Sequence, residues 1–313
     1  MKPAAVDSTA PPRQPRQPRP GIGIAVPLAW FEAILGGLLG LLLLVATKLD
    51  LTATTVGVIL MGAAIALGWC VQRFPSAQQS DGALDWHPLE VVLAVVGGFV
   101  GGQFLGGLLA VLVSIAVPHP NVTVNALTSL LTQIAAYSGM AINLWVFVLA
   151  RHTTKLADLG WRRPRSWWWL AATPLIAFAT LFLAWAVTIL LNNIFPGSTN
   201  PQCKDVRAQY GNQVVLAIVV VSVFAPIAEE TFFRGFIFRA LRQHKSALFA
   251  VIASAAIFSA FHGIPLLFLP LMVVGAVLAL VYERSNSIWP GVMVHGMFNL
   301  WGVIAILDMS SGC

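Results

Sequence analysis

The stretch Ala225–Arg239 (APIAEETFFRGFIFR) places two adjacent acids and an arginine inside an otherwise apolar run. On helical spacing Glu230 and Arg234 stand four apart and can pair. At 3.6 residues per turn Glu229 then points roughly 100° away from that pair, free to face something else. Two later apolar runs each hold a histidine, His262 and His295, and Asn299 follows His295 by one turn on the same face. Together these residue types are the parts of an amide hydrolase: a base for water, a group that shares the water, and donors for the developing oxyanion. Glu229 is the candidate base, and His262 its partner at the water. His295 and Asn299 are the candidate oxyanion donors, with Glu230 and Arg234 as a supporting pair. Phe258 lies one turn before His262 and would shield the site.

Other chemistries fit these residues less well. Ser259, close to His262, lacks the Gly-x-Ser-x-Gly elbow of a serine hydrolase, and a serine in a membrane helix commonly bonds to backbone instead. Zinc is the stronger rival, because Glu229, His262 and His295 would make an acceptable ligand set. No His-Glu-x-x-His occurs, however. The site is therefore read as free of metal and of any other cofactor, with those three residues as the ligands if a metal is bound. Gly97, Gly98, Gly101, Gly102, Gly106 and Gly107 come in pairs without the strand and lysine of a phosphate loop, so they predict close helix packing. Cys70, Cys203 and Cys313 have no metal or redox spacing.

Something must carry these groups, and composition says what. The 313 residues are 58% hydrophobic and only 10% charged, against about 25% charged in soluble domains. Mean hydropathy is +0.82, and several apolar runs exceed the ~20 residues that span a bilayer. The fold class is all-α: a polytopic transmembrane helical bundle of eight or nine helices. Spans are expected at about 22–47, 52–71, 89–116, 127–150, 167–191, 212–242, 246–263, 266–282 and 288–308. Residues 1–20, rich in proline and arginine, read as a disordered tail. Residues 21–150 read as N-terminal membrane helices, and 151–313 as the catalytic membrane domain. Pro226 predicts a kink three residues before Glu229. A charge in hydrocarbon costs at least ~2.5 kcal/mol, so acids placed there face a cavity or a partner.

The net charge of +6 sits in short loops, which excludes nucleic acid as the natural partner and favours anionic lipid. By the positive-inside rule those loops and the N-terminus are cytoplasmic, as in a bacterial inner membrane. Counted from that side at 1.5 Å per residue, Glu229, His262, His295 and Asn299 fall roughly 10–25 Å deep, within one inner or middle layer.

At the same residues the sequence resembles the CPBP family of intramembrane proteases, also called Abi or type II CAAX endopeptidases. The family pattern reads here as Glu229-Glu-Thr-Phe-Phe-Arg234, Phe258-Ser-Ala-Phe-His262 and His295-Gly-Met-Phe-Asn299, complete and in order. Leu159-Gly-Trp-Arg-Arg-Pro164 is similar to the loop that precedes the family's common half. The resemblance covers about 155–308 and implies a glutamic-type intramembrane peptidase. It implies that Glu229 and His262 activate water, that His295 and Asn299 form the oxyanion pocket, and that Glu230 and Arg234 support them. The implied partner is a membrane-associated protein or peptide substrate, with or without a lipid attached. Two other classes remain beside it. A peptide-binding or immunity scaffold would keep the same residues without turnover, and a transporter would favour paired halves that this chain lacks.

Overall fold

The computed structural model describes residues 22–46, 62–69, 86–117, 122–150, 152, 154–195, 201–210 and 213–308. The proline-rich tail, most of the second expected span, Cys70, Cys313 and the side chain of Cys203 lie outside them. Among the described residues all regular structure is helical. Helix α1 covers Ile22–Ala46, α2 residues 62–69, α3 Pro88–Ala116, and α4 Val122–Leu144 with a π-helical extension Trp145–Leu149. After α5 (Thr173–Ile194) and the short α6 (Pro201–Tyr210) comes the long α7, Val214–His244. Helices α8 (Ala247–Phe261), α9 (Phe268–Ser285) and α10 (Trp289–Asp308) follow.

Helices α3, α4, α5, α7, α9 and α10 are long and apolar enough to cross a membrane, and shorter apolar helices occupy Ala25–Leu41 and Ala247–Phe261. The chain is thus a multi-pass membrane protein with up to eight membrane helices in the described residues. The ninth expected span, about 52–71, is described only over 62–69. Many large apolar side chains of the spans, such as Leu175, Phe178, Ile115 and Leu248, are exposed on the bundle's outside. That is where lipid, itself apolar, would meet them, while the closest helix contacts inside are made at small residues.

The closest helix pair is α3 on α4. A Cβ at Gly139 would stand 2.5–2.7 Å from the backbone of Gly101 and Gly102, so only glycine permits this approach. Beside it, Asn143 donates through Nδ2 to Glu32 Oε1 (2.7 Å) and to the Gly139 carbonyl (3.0 Å), tying α1 to α4 across the α3 glycines. Glu90 caps α3 through the backbone N–H of His87 (3.0 Å) and meets His152 Nε2 at 2.8 Å, both acid and imidazole buried.

The basic loop before α5 is only partly turned to the surface. Arg162 donates to the Asn286 carbonyl (2.9 Å) and to Asn286 Oδ1, while Ser287 Oγ donates to the Arg162 carbonyl (2.6 Å). Arg239 donates to Tyr282 Oη (2.5 Å) and to the Asp158 carbonyl. Asn286 takes the left-handed conformation (φ 55°) that ends α9, which asparagine tolerates better than most residues. These bonds clamp the loop onto the α9–α10 turn and so fix where α10 begins. Arg163 and Arg165 stay exposed.

Candidate active site

Helix α7 carries the acids, and its register is altered just before them. Residues Val219–Phe224 are π-helical, and the Ala225 N–H bonds to the Val220 carbonyl. The Val221 carbonyl thereby loses both intrahelical partners: Ala225 is engaged elsewhere, and Pro226, next in the π pattern, has no N–H. Asn299 Nδ2 supplies the missing donor at 2.8 Å. Where a kink is expected, at Pro226, the helix carries a preceding π segment whose freed carbonyl is met by α10. Close approach needs Gly296, where a Cβ would stand 2.6 Å from the Ser222 carbonyl.

Glu230 and Arg234 form the expected pair at 2.8 Å, both side chains about 1% exposed. Arg234 also donates to the Gly275 carbonyl (3.2 Å) and sets its guanidinium over the Phe258 ring, 4.5 Å from the centroid. A buried cation is tolerable only with such compensation. His295 Nδ1 lies 3.0 Å from Glu230 Oε1. Because a carboxylate only accepts, Nδ1 carries the proton. The other ring nitrogen, Nε2, is 3.8 Å from Glu229 Oε2. One imidazole thus stands between the two adjacent acids.

His262 caps α8, whose fifteen residues give about 22 Å of helix, short of the ~30 Å hydrocarbon core. The helix accordingly stops at the site, where Gly263 takes φ +66° and Ser259 Oγ donates to the Phe268 carbonyl (2.6 Å) to hold the turn. Ser259 is thus engaged in backbone bonding, to the start of the next helix rather than to its own. His262 Nδ1 is 2.9 Å from the Phe258 carbonyl. The carbonyl accepts, so Nδ1 is the protonated nitrogen, and Nε2 is left with its lone pair in neutral histidine. Phe258 is the common wall: its ring centroid is 4.8 Å from that of His262 and 5.7 Å from that of His295.

All four candidate residues converge. Glu229, His262, His295 and Asn299 line one cavity of about 370 Å³, together with Phe258, Val221 and Tyr210. Glu229 and His262 also line a second cavity of about 230 Å³, which runs toward Gly98, Gly102 and Met140. Glu229 Oε2 is buried and without a hydrogen-bond partner. Among the described residues no three His, Cys, Asp or Glu side chains are placed to hold a metal ion; Glu229, His262 and His295 share the cavity without forming such a triad.

The matching family model is that of the Rce1-like type II CAAX prenyl endopeptidases, over residues 211–301. Over residues 211–301 the chain carries a Rce1-like CAAX-protease family domain. Over 95 residues it is 36% identical to YdiL of Bacillus subtilis, whose name marks it as a candidate membrane peptidase; the match covers 30% of this chain and 39% of that protein. Over 163 residues it is 23% identical to the UPF0177 protein YxdF of Lactococcus lactis, covering 52% and 86% of the two chains. The chain therefore spans about two fifths of the first relative's length and most of the second's. No solved structure matches the chain.

Residues 211–301 hold every candidate site residue named from the sequence, but they do not supply all the residues at the site. Tyr137, on α4, donates its hydroxyl to Glu229 Oε1 at 2.8 Å. One turn earlier Gln133 donates to Tyr210 Oη at 3.2 Å, and Gln133, Tyr137 and Tyr210 all line the larger cavity. Burial pushes the Tyr210 hydroxyl up to about 12, so at neutral pH it remains a hydroxyl. Sequence reasoning missed these residues because a tyrosine and a glutamine on an apolar helix look like ordinary membrane-helix polarity. The one available signal was their spacing of four, which puts both on one face.

Proposed function

We propose that the protein is an intramembrane endopeptidase that hydrolyses a peptide bond near the C-terminus or within the membrane helix of its substrate. The observation that carries this reading is the buried, unpartnered Glu229 Oε2 in a cavity shared with His262, His295 and Asn299. A water that donates one hydrogen to Glu229 Oε2 and the other to His262 Nε2 turns its lone pairs toward a bound carbonyl. As the water oxygen attacks the carbonyl carbon, its proton passes to Glu229. The oxyanion accepts from His295 Nε2–H and from the Asn299 amide hydrogen that Val221 does not use. Glu229 then delivers the proton to the leaving nitrogen, the C–N bond breaks, and a carboxylic acid and an amine remain.

In this role His295 carries a proton on both nitrogens. Glu229, Glu230, Arg234 and His295 then sum to zero formal charge, which lowers the cost of burying them together. A dry, preorganised pocket also strengthens each of these bonds relative to water. Residues 151–313 would supply the chemistry and the preceding helices its cover. Exposed basic residues such as Arg163 and Arg165 would rest on anionic lipid at the cytoplasmic face.

The test is cleavage by purified protein of a panel of C-terminal and transmembrane peptides, with and without a lipid attached. Wild-type turnover should survive thorough chelation, and Glu229→Gln and His262→Ala should abolish it while the protein elutes as a folded species. Loss on chelation with recovery on added zinc would replace the water-activating role of Glu229 with that of a metal ligand. Full turnover by Glu229→Gln would end the assignment.

A further inference from the structure

We infer that Tyr137 is a positioning residue for the candidate base: its hydroxyl holds Glu229 Oε1 and leaves Oε2 as the oxygen that takes the proton from water. The inference rests on the reading of Glu229 as base and extends the site to a helix outside the Rce1-like segment 211–301. The terminal torsion of a glutamate is broad, so an unrestrained carboxylate presents either oxygen to its cavity. A single donor at one oxygen removes that freedom.

Polar side chains approach Glu229 from its own helix and from several others. From its own helix come Glu230 and Arg234, already paired with each other. Helix α8 offers His262, whose Nδ1 is spent on the Phe258 carbonyl. Helix α10 offers His295, with Nδ1 on Glu230 and Nε2 at 3.8 Å from Glu229 Oε2, beyond hydrogen-bond distance. Asn299 donates to Val221. From α6 the Tyr210 hydroxyl accepts from Gln133. Among the described residues this leaves Tyr137, at 2.8 Å, as the donor in hydrogen-bond contact with the Glu229 carboxylate.

The phenol is itself held. Its ring packs against Phe224, 6.4 Å between centroids, on the same helix as Glu229, and the Gly139 contact two residues on presses α4 against α3. Tyr137 also lines both cavities at the point where they meet, along with Gln133, Glu229 and His262. A hydrogen bond between a hydroxyl and a carboxylate is among the stronger kinds, and its loss from a reacting geometry reads as roughly 10–100-fold in rate.

Tyr137→Phe removes one oxygen and keeps the ring. The expected result is a kcat lower by about 10–100-fold, with KM little changed, in a protein whose thermal unfolding stays close to wild type. A second readout does not depend on turnover: the infrared carboxylate stretch of Glu229, isolated by difference against Glu229→Gln, should shift in Tyr137→Phe. Wild-type kcat in this variant overturns the inference, as does an unmoved band. If the wild-type protein cleaves no peptide, the proposed function fails by itself. The band then still decides: a shift supports the orientation of Glu229 by Tyr137, and its absence overturns it.

Discussion

Glu230 lines neither cavity, yet two neighbours depend on it. Its Oε1 takes both Arg234 (2.8 Å) and His295 Nδ1 (3.0 Å), so one oxygen sets the position of a cation and of an imidazole. Removing one partner of a buried ion pair typically costs ~3–5 kcal/mol, because the other charge is left uncompensated. Glu230→Ala is accordingly expected to lose stability on that scale and to lower turnover through a misplaced His295. Thermal unfolding in detergent and the cleavage assay check the two effects. Arg234→Leu should cost a similar amount by stranding Glu230, and it also takes the cation off the Phe258 face. Phe258 bears on three polar groups at once, Arg234, His262 and His295, so its ring does more than shield the site.

At the scale of helices, two polar contacts repair or restrain the apolar packing. Asn299 satisfies the Val221 carbonyl that the π segment and Pro226 leave without a partner. Asn299→Ala should therefore cost ~1–3 kcal/mol of stability, the penalty of a buried acceptor left unmade. In a Pro226→Ala background, where residue 226 again has an N–H, the same substitution should cost less. A double-mutant cycle on unfolding temperature measures that coupling, and purely additive effects would contradict the account. The second contact joins α1 to α4. Glu32 Oε2 and Asn143 Oδ1 are both buried acceptors without a partner, and both face Gly97. An amide at position 32 can donate to Asn143 Oδ1 where an ionised carboxylate cannot. Glu32→Gln is thus expected to match or exceed wild-type stability, and Glu32→Ala to lose ~1–3 kcal/mol, again by thermal unfolding.

For the molecule as a whole, the N-terminal helices pack against the Rce1-like domain and reach its candidate base. The α3–α4 contact at Gly139 sets where α4 lies, and α4 brings Tyr137 to Glu229. Gly139→Ala would force a methyl into the α3 backbone, an overpacking cost of ~1–3 kcal/mol, and should reduce turnover together with stability. Gly107→Ala, on the same helix pair but with open space around the new methyl, should leave both unchanged. Equal behaviour of the two variants in unfolding and cleavage assays would separate the helix contact from the site.

Much is legible in the order of residues itself. Hydropathy alone dictates a helical bundle, since backbone polar groups in hydrocarbon must be satisfied within each segment. The spacing Glu230 to Arg234 and the placing of Glu229 off that face follow from helical geometry, and both recur in the structure. Convergence was different in kind. The histidines stand on separate helices, and their meeting around Phe258 depends on where α8 stops and on how the loop at Arg162 fixes the start of α10. The role of Tyr137 is likewise a tertiary fact. A hydroxyl on an apolar helix has no direction until a neighbouring backbone, here α3 through its glycines, decides which way that helix turns. The chain's order of residues determines which groups are too costly to leave in lipid; only the packing of helices decides which of them face one another.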